Sequence, residues 1–316
     1  MLLVLVFACV LLASVLVSGL ANRSVLSTAV LFLTAGFLLG DGLSGAIEVR
    51  ADQNLVAGLA ELALFSVLFT DGMRVGFPEL RSAWRLPGRA LILGLPLSLG
   101  LIAVLAHVLT GLPWAESFLL GAVLSPTDPV FAAAIVGRDD IPYKLRHLLN
   151  VESGLNDGLA LPIVVVLLAI AGPDTVHALD LGAELIGGVA IGVGVPAIAI
   201  RLERTRLFSA SVTYEPLNAF AIGLIVLALA SLTQTNVFLA AFSAGITVAT
   251  MSPAIRSAFH QFGELVAELL KLAALLVFGA LISPRFLADI ALNGYLFAAA
   301  ALLVARPASL GLALLG

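Results

Sequence analysis

Long apolar runs separated by short polar loops are the feature that most constrains how this chain can fold. Of its 316 residues, 61% are hydrophobic and only 11% are charged, whereas a soluble domain carries about 25% charged residues. A helix that spans a bilayer needs about 20 mostly apolar residues. Runs of that kind predict about eleven transmembrane helices, at residues 2–20, 25–41, 55–72, 89–110, 115–137, 151–171, 180–200, 214–232, 236–250, 264–283 and 292–315.

These runs predict helices rather than strands, because they are too long for strands and do not alternate polar with apolar residues. No flexible linker or soluble domain is visible, so we expect residues 1–316 to form a single transmembrane domain of an all-α polytopic membrane protein. Basic residues are few and scattered, which argues against nucleic acid as a partner. The single cysteine, Cys9, excludes a framework of disulfides within the chain.

The basic residues are distributed unevenly among the predicted loops. With the loops numbered from the N-terminus, most of the 16 Lys and Arg residues fall in odd-numbered loops, and the even-numbered loops carry only Arg50 and Arg285. Loops rich in Lys and Arg stay in the cytoplasm. The pattern therefore predicts a multi-pass protein of the cell membrane, with the N-terminus outside and the odd-numbered loops in the cytoplasm.

Two acidic residues, Asp128 and Asp157, lie within the predicted apolar runs. Placing an ionised carboxylate inside the membrane costs about 2.5–3.5 kcal/mol or more. Pro126 and Pro129 flank Asp128, and each disfavours helix at the residue before it. We expect a broken helix whose freed carbonyls, with Thr127 and Asp128, form a site for a small monovalent cation such as Na⁺ or Li⁺. The alternative is a structural kink in which Asp128 caps a half-helix.

The next run carries Ser153, Asn156 and Asp157 within about one helical turn, so these residues share a face. Burial favours the protonated form of a carboxylate and a bound cation favours the ionised form. A proton and a cation therefore compete for such a group, and we take Asp157 as the titrating residue. The alternative is that Glu152 and Asp157 only start a helix, because residues 142–150 look like a loop and acidic residues favour helix N-termini.

Arg306 lies in the last apolar run, and a buried guanidinium needs a partner. Glu152 is the best available partner for it. Asp71, near the end of the third run, either joins the ion site or lies in a surface turn beside Gly72.

Structural roles are predicted for three further residues. Lys271 is expected to be a structural residue near Glu268. Gly188 and Gly192 form a small-residue face, which favours close packing between helices over a dimer interface.

Three segments together resemble the monovalent cation/proton antiporter family, specifically the NhaP-like sodium/proton exchangers. These segments are Thr127-Asp128-Pro129, Glu152-Ser153-Gly154-Leu155-Asn156-Asp157 and Ala305-Arg306-Pro307. The resemblance implies an inverted-repeat antiporter fold with discontinuous helices. It also implies that Thr127 and Asp128 lie at a crossing of unwound helices, Asp157 exchanges Na⁺ for H⁺, Ser153 helps to bind the ion, Glu152 pairs with Arg306, and Asp71 is the acidic residue of the third helix.

The same resemblance extends to the mode of transport. Asn156 beside Asp157, in place of two aspartates, resembles the electroneutral branch, which exchanges one proton for one cation. The implied protein is a secondary transporter rather than an enzyme, has no cofactor beyond the transported Na⁺ and H⁺, and forms a homodimer in the bilayer. The family's fold has more helices than the runs found here, so we expect the chain to lack the last two.

Three other functions stay open at this point. The same oxygen donors serve K⁺, so a K⁺/H⁺ antiporter of the same fold is an alternative. A non-transporting ion sensor or scaffold is another. An intramembrane aspartyl protease also uses two aspartates, but its Gly-x-Gly-Asp signature is absent around Asp128 and Asp157.

Overall fold

The computed structural model describes residues 2–21, 28–40, 42, 45, 53–76, 90–126, 143–172, 177–203, 205 and 215–314. This part of the chain is helical and contains no strand, which confirms the all-α prediction. The helices, in chain order, are α1 (Leu2–Ala21), α2 (Thr28–Leu39), α3 (Asn54–Arg74), α4 (Leu95–Thr110), α5 (Trp114–Leu124), α6 (Tyr143–Ala171), α7 (Ala178–Glu203), α8 (Glu215–Leu232), α9 (Val237–Met251), α10 (Pro253–Leu281), α11 (Pro284–Asp289), α12 (Leu292–Ala300) and α13 (Arg306–Leu314).

Each predicted span overlaps at least one of these helices, but α6 begins earlier than expected. It starts at Tyr143, in the stretch that the sequence suggests is a loop, rather than near residue 151. Glu152 and Asp157 therefore lie well inside the helix. The alternative in which these two acidic residues only start a helix is wrong.

Helix α10 also begins earlier, at Pro253 rather than near residue 264. Its first turns carry Arg256, His260 and Glu264, which recur every four residues and so lie on one side of the helix. These polar residues lower the local hydropathy, and a search for apolar runs therefore misses this part of an amphipathic helix.

Two π-helical turns stand directly before an Xaa-Pro pair. Ala90–Gly94 precedes Leu95-Pro96, and Ala301–Ala305 precedes Arg306-Pro307. Proline has no amide hydrogen and its ring clashes with the carbonyl four residues earlier, so the wider π turn accommodates it. Residues 292–314 stay helical throughout, and Arg306 directly follows the π turn, so it lies inside the last helical span.

The chain divides into two compact units, of which the first comprises Met1–Val67 and Glu264–Ala291. Within it, α2 and α10 approach so closely that a Cβ atom on Gly36 would collide with the Leu276 carbonyl. Phe32 is fully buried in the cluster that this approach creates, and its ring centroid lies 5.4 Å from that of Phe7.

Also in the first unit, Lys271 forms an ion pair with Glu268 at 2.7 Å. Both side chains are partly exposed, at 33% and 42% of their surface. This pair accounts for the charge of Lys271 and agrees with the structural role predicted for it.

The second unit comprises Leu68–Gly263 and Leu292–Gly316. In it, α7 packs against α9 through Gly188 and Gly192, where an added Cβ would meet the carbonyls of Asn236 and Ala240. The prediction that these two glycines serve close helix packing is confirmed.

The N-terminus of α9 is held by Asn236, whose Oδ1 accepts a hydrogen bond from the Leu239 amide at 2.9 Å. The Asn236 Nδ2 donates to Glu184 Oε1 on α7 at 3.2 Å. One side chain thus caps α9 and links it to α7.

A second cluster in this unit joins α4 to α12 and the π turn that follows it. Ile102 and Ala106 of α4 are buried against Phe297 and Ala301. On another side of α4, Gly121 of α5 lies directly against the Leu99 carbonyl.

Apolar side chains also cover the outside of many helices. Leu16, Leu179, Ile186 and Leu303 are each more than 70% exposed. Helices that are apolar on their outer faces are typical of proteins surrounded by lipid. In the described part of the chain, α3 and α7 are long and apolar enough to cross a membrane, and shorter apolar helices accompany them.

The α7–α9 contact generates a stability prediction. Gly192→Val should lower the melting temperature in detergent, because the new side chain would collide with the Ala240 carbonyl and overpacking costs about 1–3 kcal/mol. Gly194→Val on the same helix is the matched control, since a Cβ atom there meets nothing within 4 Å. Equal melting temperatures for the two variants would contradict the close contact.

Candidate functional site

The broken helix predicted around Asp128 lies only partly in the described residues. Helix α5 ends at Leu124, and Ser125 and Pro126 form a bend after it. The buried Ser125 hydroxyl donates to the Ala122 carbonyl at 3.1 Å. Thr127, Asp128 and Pro129 lie outside the described residues.

The second predicted segment is part of the continuous helix α6, which contains Glu152, Ser153, Asn156 and Asp157. The Asn156 side chain is 1% exposed. Because a buried amide is stable only with hydrogen-bond partners, Asn156 marks a polar region inside this unit. The side chains of Glu152, Ser153 and Asp157 lie outside the described part of the structure.

Asp71 is buried rather than in a surface turn. Helix α3 continues past it to Arg74, and the Arg74 Nη1 donates to Asp71 Oδ1 at 3.0 Å. The carboxylate side chain is 9% exposed and the arginine side chain 42% exposed. The surface-turn alternative is therefore wrong, and Asp71 is a buried carboxylate with a half-exposed counter-ion.

The end of α3 is held by a second arginine. The Arg256 Nη2 of α10 donates to the Arg74 carbonyl oxygen at 2.5 Å. The last carbonyls of a helix have no partner within it, so this bond satisfies one of them. The i,i+3 spacing of Asp71 and Arg74 could have indicated their pairing from the sequence, whereas the Arg256 contact depends on the fold.

The segments that contain Asp71 and Asp157 both contact α9 at the same residue, Phe242. Gly72, directly after Asp71, lies against the Phe242 carbonyl. Gly158, directly after Asp157, lies against the Phe242 ring. Both acidic residues are thus followed by a glycine that packs on the same position of α9.

The sequence reasoning missed Phe242 and the two glycines that contact it. A signal was present, because an Asp-Gly pair occurs at Asp71-Gly72 and again at Asp157-Gly158. A glycine inside an apolar helix often marks close backbone approach, but only the fold shows that both pairs meet the same residue.

Arg306 begins α13, and its side chain lies outside the described part of the structure. Helices α13 and α6 both pack against the π turn Ala90–Gly94. The helices that contain Arg306 and Glu152 therefore share a neighbour, and the pairing of these two residues stays a prediction.

Among the described residues, this region includes two buried polar side chains. A buried carboxylate at Asp71 and a buried amide at Asn156 lie on helices that meet at α9. In the described structure, Asp71 Oδ1 accepts the hydrogen bond from Arg74. Among the described residues no group of three or more His, Cys, Asp or Glu could hold a metal ion, and the predicted Na⁺ ligands Asp128, Asp157, Ser153 and Thr127 fall outside the described side chains.

Comparison with known proteins places these features in a family. The family described as sodium/hydrogen exchanger, transmembrane, matches residues 8–316. The chain is 28% identical over 321 residues to the K(+)/H(+) antiporter NhaP of Alkalimonas amylolytica, covering 99% of this chain and 55% of that protein. It is 26% identical over 320 residues to the K(+)/H(+) antiporter NhaP2 of Shewanella oneidensis, covering 96% of this chain and 53% of that protein. The chain thus spans about half the length of these curated relatives.

A solved structure shares the fold. The sodium proton antiporter MjNhaP1 from Methanocaldococcus jannaschii matches with a TM-score of 0.80 at 18% identity, over 99% of this chain and 77% of that chain. The antiporter fold expected from the sequence is therefore confirmed. Because the family match extends over nearly the whole chain, this multi-pass membrane protein belongs to the transmembrane sodium/hydrogen exchanger family.

Proposed function

We propose that the protein exchanges Na⁺ (or Li⁺) for H⁺ across the cell membrane, with Asp157 binding the cation and the proton in turn. The observation that carries the proposal is the family match over residues 8–316, which contains both the Thr127-Asp128 and the Asn156-Asp157 segments. The match supports a transporter over an intramembrane protease. Homodimer formation and cytoplasmic odd-numbered loops are parts of the same proposal.

The exchange follows from competition at one carboxylate. A cation near Asp157 favours its ionised form, and loss of the cation allows protonation. Thr127, Asp128, Ser153 and the buried Asp71 would supply further oxygen ligands. The buried Asn156 adds a neutral amide rather than a further titrating group. When such a site faces the two sides of the membrane alternately, an inward flow of one ion accompanies an outward flow of the other.

K⁺/H⁺ exchange at the same site is the second candidate. The two curated relatives are named K(+)/H(+) antiporters, whereas the solved neighbour is named a sodium proton antiporter. Oxygen ligands serve both ions, so the ion preference depends on the size and the rigidity of the site.

Reconstituted vesicles with an imposed pH gradient test the proposal. Addition of Na⁺ or Li⁺ should collapse the gradient, with K⁺, Rb⁺ and choline compared at equal concentration. A collapse by K⁺ alone would favour the second candidate. No collapse with any alkali ion would reject exchange and leave the ion sensor or scaffold.

Asp157→Asn should abolish the exchange while the protein stays folded. An amide keeps the volume of the side chain, but it does not bind and release a proton as a carboxylate does. The matched control is Asp180→Asn in the first turn of α7, which is exposed and should exchange as the wild type does. Initial rates in vesicles and size-exclusion profiles in detergent provide the comparison. Proton-coupled exchange by Asp157→Asn would remove this residue from the mechanism.

The exchange should be electroneutral, because Asn156 leaves Asp157 as the one titrating carboxylate of that pair of residues. The measurement is the rate of Na⁺-driven proton movement while K⁺ and valinomycin set the membrane voltage. The rate should be the same at all voltages. A rate that changes steeply with voltage would mean that net charge moves in each cycle.

Arg306→Ala should lower the melting temperature in detergent more than Arg306→Ala combined with Glu152→Gln. In the proposed pair, removal of the arginine alone would leave the Glu152 carboxylate without its counter-ion, at a cost of about 3–5 kcal/mol, whereas the double variant removes both charges. Glu152→Gln alone is measured as well. If the loss of melting temperature in the double variant equals the sum of the losses in the two single variants, Arg306 and Glu152 do not pair.

A further inference from the structure

Two acid-bearing segments of the second unit make contact with α9 at one residue. Gly72 follows Asp71, Gly158 follows Asp157, and both glycines lie against Phe242, which is 6% exposed. We infer that Phe242 is a positioning residue: it sets the distance between the α3 and α6 segments that contain the two aspartates, and thereby the ion preference of the site. This inference rests on the proposed exchange at Asp157.

The contact with α6 involves the end of the aromatic ring. A Cβ atom on Gly158 would overlap Cζ, Cε1 and Cε2 of Phe242. The tip of the ring is therefore pressed against the α6 backbone at the residue after Asp157. Helix α6 cannot approach α9 more closely here unless the ring turns away, because interior packing leaves no spare volume.

The contact with α3 involves backbone on both sides. Gly72 lies against the Phe242 carbonyl, and Gly245 of α9 lies in turn against the Phe69 carbonyl of α3. Because no side chain separates the two helices at these points, the spacing between α3 and α9 is fixed by backbone atoms. The spacing between α6 and α9 is fixed by a side chain, whose size sets the separation.

These two kinds of contact make Phe242 the adjustable spacer between the aspartate-bearing segments. The separation of oxygen ligands is one of the factors that discriminate Na⁺ from the larger K⁺. A change in ring size at position 242 should therefore change the relative affinity for the two ions, and not only the stability of the protein. A residue that merely fills space would affect stability alone.

The test is a size exchange between the two contacting residues, made in the full-length protein in vesicles. Gly158→Ala adds a methyl group where the ring tip lies, and Phe242→Leu removes the three ring atoms that overlap it. Each single variant should change the ratio of the apparent KM values for Na⁺ and K⁺ by about fivefold, and the double variant should restore it, as expected for residues coupled by direct contact. Gly100→Ala on α4 is the matched control, because a Cβ atom there meets nothing within 4 Å.

The outcomes separate this inference from the proposed function. If the wild type exchanges alkali ions but both single variants keep its KM ratio and lose only melting temperature, Phe242 is a packing residue and the inference is overturned. Changes in the ratio that the double variant does not restore would overturn it as well. Should Gly158→Ala fail to fold, Phe242→Leu still decides, because it leaves space rather than a clash. A wild type without any exchange would reject the proposed function itself.

Discussion

Close backbone contact along α9 is the interaction on which the second unit depends. In lipid, helices gain little from burying apolar side chains, because the lipid tails are equally apolar, and their association rests on tight packing. Glycine removes the Cβ atom at four contacts with α9: Gly188 and Gly192 on α7, Gly72 on α3 and Gly158 on α6. Three helices can therefore approach one short helix, and residues far apart in the sequence become neighbours in space.

This packing determines the environment of Asp71. Its carboxylate is buried beside Gly72, and its counter-ion Arg74 extends to a half-exposed position. Because the carboxylate stays buried, removal of the Arg74 charge would be destabilising. The pair places a positive charge beside a buried carboxylate, and the α3 segment that carries it shares the neighbour Phe242 with the segment that contains Asp157.

The sequence predicts the helices well where apolar residues run without interruption, as in α1, α3 and α7. It places the start of α10 too late, because Arg256 and His260 lower the hydropathy of its first turns, and the start of α6 too late, because residues 143–150 resemble a loop. The π turns precede Pro96 and Pro307, whereas Pro162 and Pro196 lie inside α6 and α7 without one. The widened geometry of the π turns is invisible to a search for apolar runs.

The sequence predicts candidate site residues, but it does not predict how the helices that carry them assemble. Acidic residues in apolar runs, together with paired prolines, indicate ion chemistry from the sequence alone, because charges in hydrocarbon are costly. The burial of Asp71 and its pairing with Arg74 depend on where α3 ends, and the meeting of two Asp-Gly pairs on Phe242 depends on how α9 packs. Such tertiary contacts leave no periodic signal in the sequence.

In the proposed mechanism, a cation and a proton compete for Asp157. Proton release on cation binding measures this directly: purified protein in detergent, in weakly buffered solution with a pH indicator, is mixed with Na⁺ or K⁺, and binding is followed in parallel by calorimetry. The account predicts release of close to one proton for each cation bound, and no release from Asp157→Asn. Cation binding to the wild type without proton release would contradict it.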